Sequence, residues 1–239
     1  LDLLRPGGNL LAIHALNVST SSSDFLVSVS LEAAESTIPR QAGVSPAAIR
    51  YDGPVSLDRS TRVKARTLSG STWSALSEAV FAVGPVAESL RISEMMYHPA
   101  DIDDPNSEFI ELTNVGAESI DLHLVRFTDG VDYTFEPFEL APGGYCLLVC
   151  DLEAFAARYG PGLPVIGQYE GRLDNGGERI ELVDAVGQVI QSFEFEDDWY
   201  TLTDGLGFSL VVADPDGSDS LNEKTAWRTS DEPGGSPGQ

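Results

Sequence analysis

Two acidic loops carry the residues best suited to chemistry. Asp101-Ile-Asp-Asp-Pro-Asn-Ser-Glu108 offers the carboxylates of Asp101, Asp103 and Asp104, and Asp214-Pro-Asp-Gly-Ser-Asp219 offers those of Asp214, Asp216 and Asp219. A hard cation such as Ca²⁺ takes roughly six to eight oxygens from flexible acidic loops, so either stretch fits a Ca²⁺ site. The second shares only its D-x-D start and a misplaced Gly with the EF-hand loop. Both also fit acidic, solvated turns, and that reading stands beside the metal one. A third run, Glu194-Phe-Glu-Asp-Asp198, reads as a strand end on a solvent face. For stacking on a ligand such as a sugar ring, the best-placed aromatics are Trp199 and Tyr200, next to Asp197 and Asp198 in an expected loop.

Enzymatic chemistry has no visible carrier. His14, His98 and His123 stand in three separate contexts, without a second His or Cys at metal-ligand spacing. There is no Gly-x-Ser-x-Gly elbow, no His-Glu-x-x-His and no phosphate-binding Gly-Lys-Ser/Thr loop. Cys146 and Cys150 lie in one strand-like run, where residues four apart are roughly 13 Å from each other. A disulfide needs Cα atoms within about 7 Å, so these two are expected to be unbridged thiols.

The elements that must position these residues read as β-strands. The 23 Gly and 14 Pro separate short apolar runs, as in turn-rich antiparallel proteins. Strands are expected at Gly8–His14, Asp24–Ser30, Tyr51–Leu57, Ser60–Leu68, Trp73–Val83, Leu90–Tyr97 and Phe109–Asn114. Further ones follow at Ile120–Phe127, Tyr145–Cys150, Arg179–Val183, Val189–Phe195 and Gly207–Val212. In Phe109–Asn114 the alternation leaves Ile110 and Leu112 on an apolar face and Glu111 and Thr113 on a polar one. One helix interrupts the pattern: Asp151 is a cap residue, apolar residues follow at helical spacing, and Gly160 ends the run. It is expected as a lid over a sandwich end.

Charge divides the chain. Residues 1–84 hold seven acidic and seven basic residues, and residues 85–239 hold the other 31 acidic and seven basic ones. The whole formal charge of -24 therefore falls after Val83-Gly-Pro85, which marks an expected domain boundary. Such a chain repels phosphate backbones and anionic bilayers, so nucleic acid is excluded as a partner. No apolar stretch approaches the roughly 20 residues of a membrane span. The start, Leu1-Asp-Leu-Leu-Arg-Pro6, lacks an initiator Met and a signal pattern, as a mature or excised piece would.

Several motifs after residue 86 stand in a recognisable order: Ile92-Ser-Glu94, Tyr97-His-Pro99, Glu108-Phe-Ile-Glu-Leu-Thr-Asn114, Leu140-Ala-Pro-Gly-Gly-Tyr145, Phe155-Ala-Ala-Arg-Tyr-Gly160 and Leu173-Asp-Asn-Gly-Gly-Glu-Arg-Ile180. Trp227-Arg-Thr-Ser and Pro233-Gly-Gly-Ser-Pro-Gly238 complete the series. Together they resemble the lamin tail domain, which implies an all-β, immunoglobulin-like sandwich with one short inserted helix over residues 85–239. Residues 1–37 resemble the end of a galactose-binding-like jelly roll. Residues 38–84 resemble the latter half of the immunoglobulin-like module of chitobiase-type enzymes, with Ser60-Thr-Arg-Val-Lys-Ala65 and Trp73-Ser74 in place. Both N-terminal segments read as truncated. The resemblance places Trp73 and Trp227 in cores and gives His98 a structural role in the Tyr-His-Pro turn. It implies a non-catalytic binding or structural module of a bacterial secreted or surface protein, with a protein or glycan partner at the cell surface. Two alternatives stand beside it: a Ca²⁺-stabilised adhesion module, and the appendage of an enzyme, such as a CotH-like kinase, whose catalytic domain lies elsewhere.

Overall fold

The computed structural model describes residues 48–70, 72–100 and 106–239. A division falls between Tyr51 and Asp52, and residues 48–51 are exposed and without regular structure. Along Asp52–Gln239 come β1 (Thr61–Ala65), β2 (Leu68–Ser69), β3 (Thr72–Trp73), β4 (Ser77–Phe81), α1 (Val86–Ser89), β5 (Leu90–Met96), β6 (Phe109–Asn114), β7 (Ile120–Asp121), β8 (Arg126–Asp129) and β9 (Tyr133–Thr134). They are followed by β10 (Glu139–Leu140), β11 (Tyr145–Val149), α2 (Leu152–Tyr159), β12 (Val165–Gln168), β13 (Arg179–Val183), β14 (Val189–Glu194), β15 (Leu210–Val212) and β16 (Trp227–Thr229).

Two sheets make the sandwich. The larger has the order β12-β11-β6-β5-β15-β16 and the smaller β14-β13-β8-β9. Ile110, Leu112, Leu148 and Leu210 of one sheet join Phe127, Ile180, Leu182 and Phe193 of the other in a single buried core. Strands that alternate apolar and polar residues explain this, because only one face of each can enter a dry interior. Neighbours in the large sheet are antiparallel except β11 and β12, which run parallel and are linked through α2.

A bulge between Ile92 and Glu94 sets the chemistry of β5. With strict alternation, Glu94 would follow Leu90 and Ile92 into the core. The extra residue reverses the faces, so Met95 points to the main core and Glu94 stands opposite Glu111 on the outer face. That outer face is covered too. Phe109 meets Phe155 and Tyr159 of α2 edge-on, at 5.9 and 5.8 Å between ring centroids. The helix therefore lies on the sheet's outer face, where the apolar side of β6 and β11 (Phe109, Leu147, Val149) needs cover, and not over a sandwich end. Its cap is as expected: Asp151 Oδ1 accepts from the amides of Glu153 and Ala154, both at 2.9 Å. Asp151→Ala is expected to cost about 1 kcal/mol, measured by denaturant unfolding.

Several expected strands differ: Ser60–Leu68 is divided between β1 and β2, and Trp73–Val83 between the end of β3 and β4. Residues 120–127 form β7 and β8 separated by a turn, because Leu124 adopts φ 67 and Val125 N donates to Leu122 O. Residues 52–59 form no strand. The β1–β4 hairpin leaves Val63, Trp73 and Phe81 exposed, so Trp73 is not a core residue; among the described residues no second sheet layer covers it. The strands expected at Gly8–His14 and Asp24–Ser30 lie outside the described residues. The hairpin is tied to the sandwich by Ser60 O, 2.7 Å from His123 Nδ1, and by Arg59 Nε, 3.8 Å from Asp121 Oδ2.

Candidate interaction site

Asp101, Asp103 and Asp104 lie outside the described residues. Asp214, Asp216 and Asp219 lie on the exposed turn after β15, and Asp214 and Asp219 line a water-sized recess. Arg91 lines the same recess, with its guanidinium held by the backbone oxygens of Ala87, Glu88 and Leu90. No group of three or more His, Cys, Asp or Glu converges on one point among the described residues.

The stacking platform expected at Trp199 and Tyr200 is absent. A 3₁₀ turn at Asp197–Trp199 folds the indole inward, where it is 9% exposed and 6.3 Å from the ring of Trp227. Burying so large an apolar ring outweighs what it would gain in water. Tyr200 donates its hydroxyl to Trp227 O at 2.8 Å and carries Lys224 Nζ over its ring at 4.6 Å, so its face is taken. The run Glu194–Asp198, expected on a solvent face, is mixed, with Phe195 in the core.

The remaining candidates act structurally. His98 Nδ1 lies 2.8 Å from Asp204 Oδ1 and Tyr97 Oη 3.0 Å from Thr203 Oγ1, tying the Tyr-His-Pro turn to the loop before β15. Cys146 and Cys150 are free thiols, and burial pushes that of Cys146 up to about 12, which keeps it protonated and unreactive. Alternation along β6 marks Glu111 as polar but not as buried, and four carboxylates turn out to be enclosed among the described residues, Asp184 just after β13 being one. Glu94 and Glu111 are each 1% exposed and Glu108 3%. Glu108 accepts from Tyr169 Oη and Leu173 N, and burial raises its affinity for a proton.

A groove of about 550 Å³ lies between the hairpin and the small sheet. Val80, Leu124, Ala185 and Val186 supply apolar walls, and Arg62 and Arg126 supply charge. Arg62 reaches Glu78 at 3.4 Å. Arg126 donates to the backbone oxygen of Asp184, and among the described residues it has no carboxylate partner. In a chain of net charge -24, an uncommitted guanidinium beside apolar walls is the most distinctive surface feature. Sequence reasoning missed it because Arg62 and Arg126 come from distant strands brought together only by the fold.

No curated protein and no solved structure matches the chain. Residues 85–197 match the family model of the Lamin Tail Domain, and the all-β sandwich that lines this groove is consistent with the immunoglobulin-like fold of that type.

Proposed function

We propose that this chain is a non-catalytic interaction module of a bacterial secreted or surface-displayed multidomain protein, and that the groove between the β1–β4 hairpin and the small sheet receives a segment of a partner protein. The observation that carries the proposal is Arg126, half-buried and lining one groove with Arg62, Leu124 and Ala185. Arginine offers several planar N–H donors and is enriched at protein interfaces, where apolar walls strip water from its contacts. The occupant suited to these walls is an apolar peptide stretch carrying a carboxylate or a row of free carbonyls. The matched family and the segments resembling jelly-roll and chitobiase-type modules support the multidomain setting.

Peptide arrays displaying Asp- or Glu-containing apolar segments are expected to give ligands that bind the intact chain and bind the Arg62→Ala/Arg126→Ala variant at least tenfold more weakly. A loss of this size corresponds to about 1.4 kcal/mol. Equal binding by both proteins removes the groove as the site, and hydrolysis or group transfer by this chain alone removes the non-catalytic reading.

A further inference from the structure

The outer face of the large sheet carries a closed carboxylate pair. Glu94 of β5 and Glu111 of β6 stand directly opposite each other in the strand register. Their donors come from Ser93 beside the pair, from Ser209 just before β15, and from the C-terminal residues Ser236, Gly238 and Gln239. Ser93 Oγ donates to Glu111 Oε1 at 2.7 Å, and Ser209 Oγ donates to Glu94 Oε1 at 2.5 Å. From the segment 230–238, Ser236 N and Oγ donate to the two oxygens of Glu94 at 2.8 and 2.6 Å, and Gly238 N donates to Glu111 Oε2 at 2.5 Å. The strap is shaped for this. Gly235 has φ 77, and a side chain there would run into Glu94 Oε1 and come within 3.2 Å of Phe109. Pro237 is buried, and Ser230 N and Gly234 N fasten the strap to Ser209 O and Gly207 O.

We infer that the segment 230–238 is a proton-controlled clasp: it closes over the Glu94–Glu111 pair when the pair holds a proton, and it loosens when both carboxylates are charged. The reason is electrostatic. A carboxylate sealed from water is costly to keep charged, the more so with a second carboxylate in register beside it, and a proton on Glu111 removes that cost while leaving the strap's donors in place. The other ionisable groups around the pair do not change charge in the same range. Cys146 beneath Glu111 and Tyr159 of α2 near Glu94 are both pushed up to about 12 by burial, and the Arg158 side chain lies against the Tyr159 ring. Burial pushes Glu111 from its ordinary 4.5 up to about 7, with the charge of Glu94 adding to it and the bonds from Ser93 and Gly238 opposing it. A carboxyl raised in this way stabilises the closed state below its ordinary value and loses that contribution as pH rises through the higher one. The clasp is therefore tight at pH 6 and looser at pH 8. Its opening bares the strip formed by Phe109, Tyr159 and Leu163, against which the strap lies.

Hydrogen exchange of the Ser236 and Gly238 amides in the full chain, corrected for intrinsic exchange rates, tests this. Protection is expected to be about tenfold greater at pH 6 than at pH 8 in the unmodified protein, and equal at both in Glu111→Gln, where the side chain cannot titrate. Ser236→Ala is expected to lower protection at both pH values and to keep the tenfold ratio. A ratio within twofold in the unmodified protein overturns the clasp, as does an unchanged ratio in Glu111→Gln or its loss in Ser236→Ala.

Discussion

Trp227→Ala is expected to lose about 3–5 kcal/mol of unfolding free energy, the range found when a large aromatic is removed from a packed core. Trp227 is 2% exposed and its ring centre lies 5.3 Å from that of Phe193 and 6.3 Å from that of Trp199. Its indole Nε1 donates to Leu221 O at 2.8 Å. It sits on β16 at the edge of the large sheet, yet its ring reaches Phe193 of β14 at the edge of the small one. Alanine leaves a cavity at the rim of the sandwich and an unpaired carbonyl at Leu221. For a chain of this size each kcal/mol moves Tm by roughly 2–4 °C, so calorimetry is expected to show a drop of about 10 °C or more. A loss under 1 kcal/mol in guanidinium unfolding would show that β16 is not part of the cooperative core.

The second large effect concerns a polar residue. Asn114 ends β6 with no exposed surface, and its side chain serves three backbone groups at once. Nδ2 donates to Glu118 O at 2.8 Å and to Leu140 O at 2.9 Å, and Oδ1 accepts from Gly116 N at 2.9 Å. The β6–β7 turn and the strand β10 are both fastened through this amide. Asn114→Ala removes two donors and an acceptor from buried partners, which is expected to cost about 2–4 kcal/mol because each orphaned group keeps its desolvation penalty. Asn114→Asp retains the acceptor, loses both donors and adds a charge. It is expected to be at least as destabilising at pH 7 and to recover partly near pH 4, where a protonated carboxyl regains one donor. Urea unfolding at the two pH values measures both; stability equal to the unmodified protein in Asn114→Ala would mean that water replaces the amide at no cost.

Local chemistry made some elements legible. The helix at Leu152–Tyr159 was readable end to end because Asp151 and Gly160 are cap residues whose backbone preferences act within one turn. The strands Tyr145–Val149, Arg179–Val183 and Val189–Glu194 were readable because their alternation reports one wet or differently packed face. The strand expected over 120–127 was not, since its apolar pattern continues through Leu124 while the backbone turns there. Strand β12 was hidden for another reason. Val165–Gln168 contains a Gly and only two aliphatic residues, and it becomes a strand because β11 beside it offers a free ladder edge.

By itself, the sequence determined the all-β class, the inserted helix, the absence of a catalytic constellation of familiar spacing and the placement of the whole -24 after residue 84. These depend on residue type and on neighbours within a few positions. Only the tertiary structure decided which polar residues are enclosed. Alternation marks Glu111 as a polar-face residue and would send Glu94 into the core; both are enclosed on the outer face because a bulge turns Glu94 toward Glu111 and a strap more than a hundred residues away covers the two. The same holds for Arg62 and Arg126, which acquire a shared groove from the docking of the hairpin. Burial is a property of what lies on top of a side chain, and in a β-sandwich the covering segment is set by long-range pairing that no local pattern encodes.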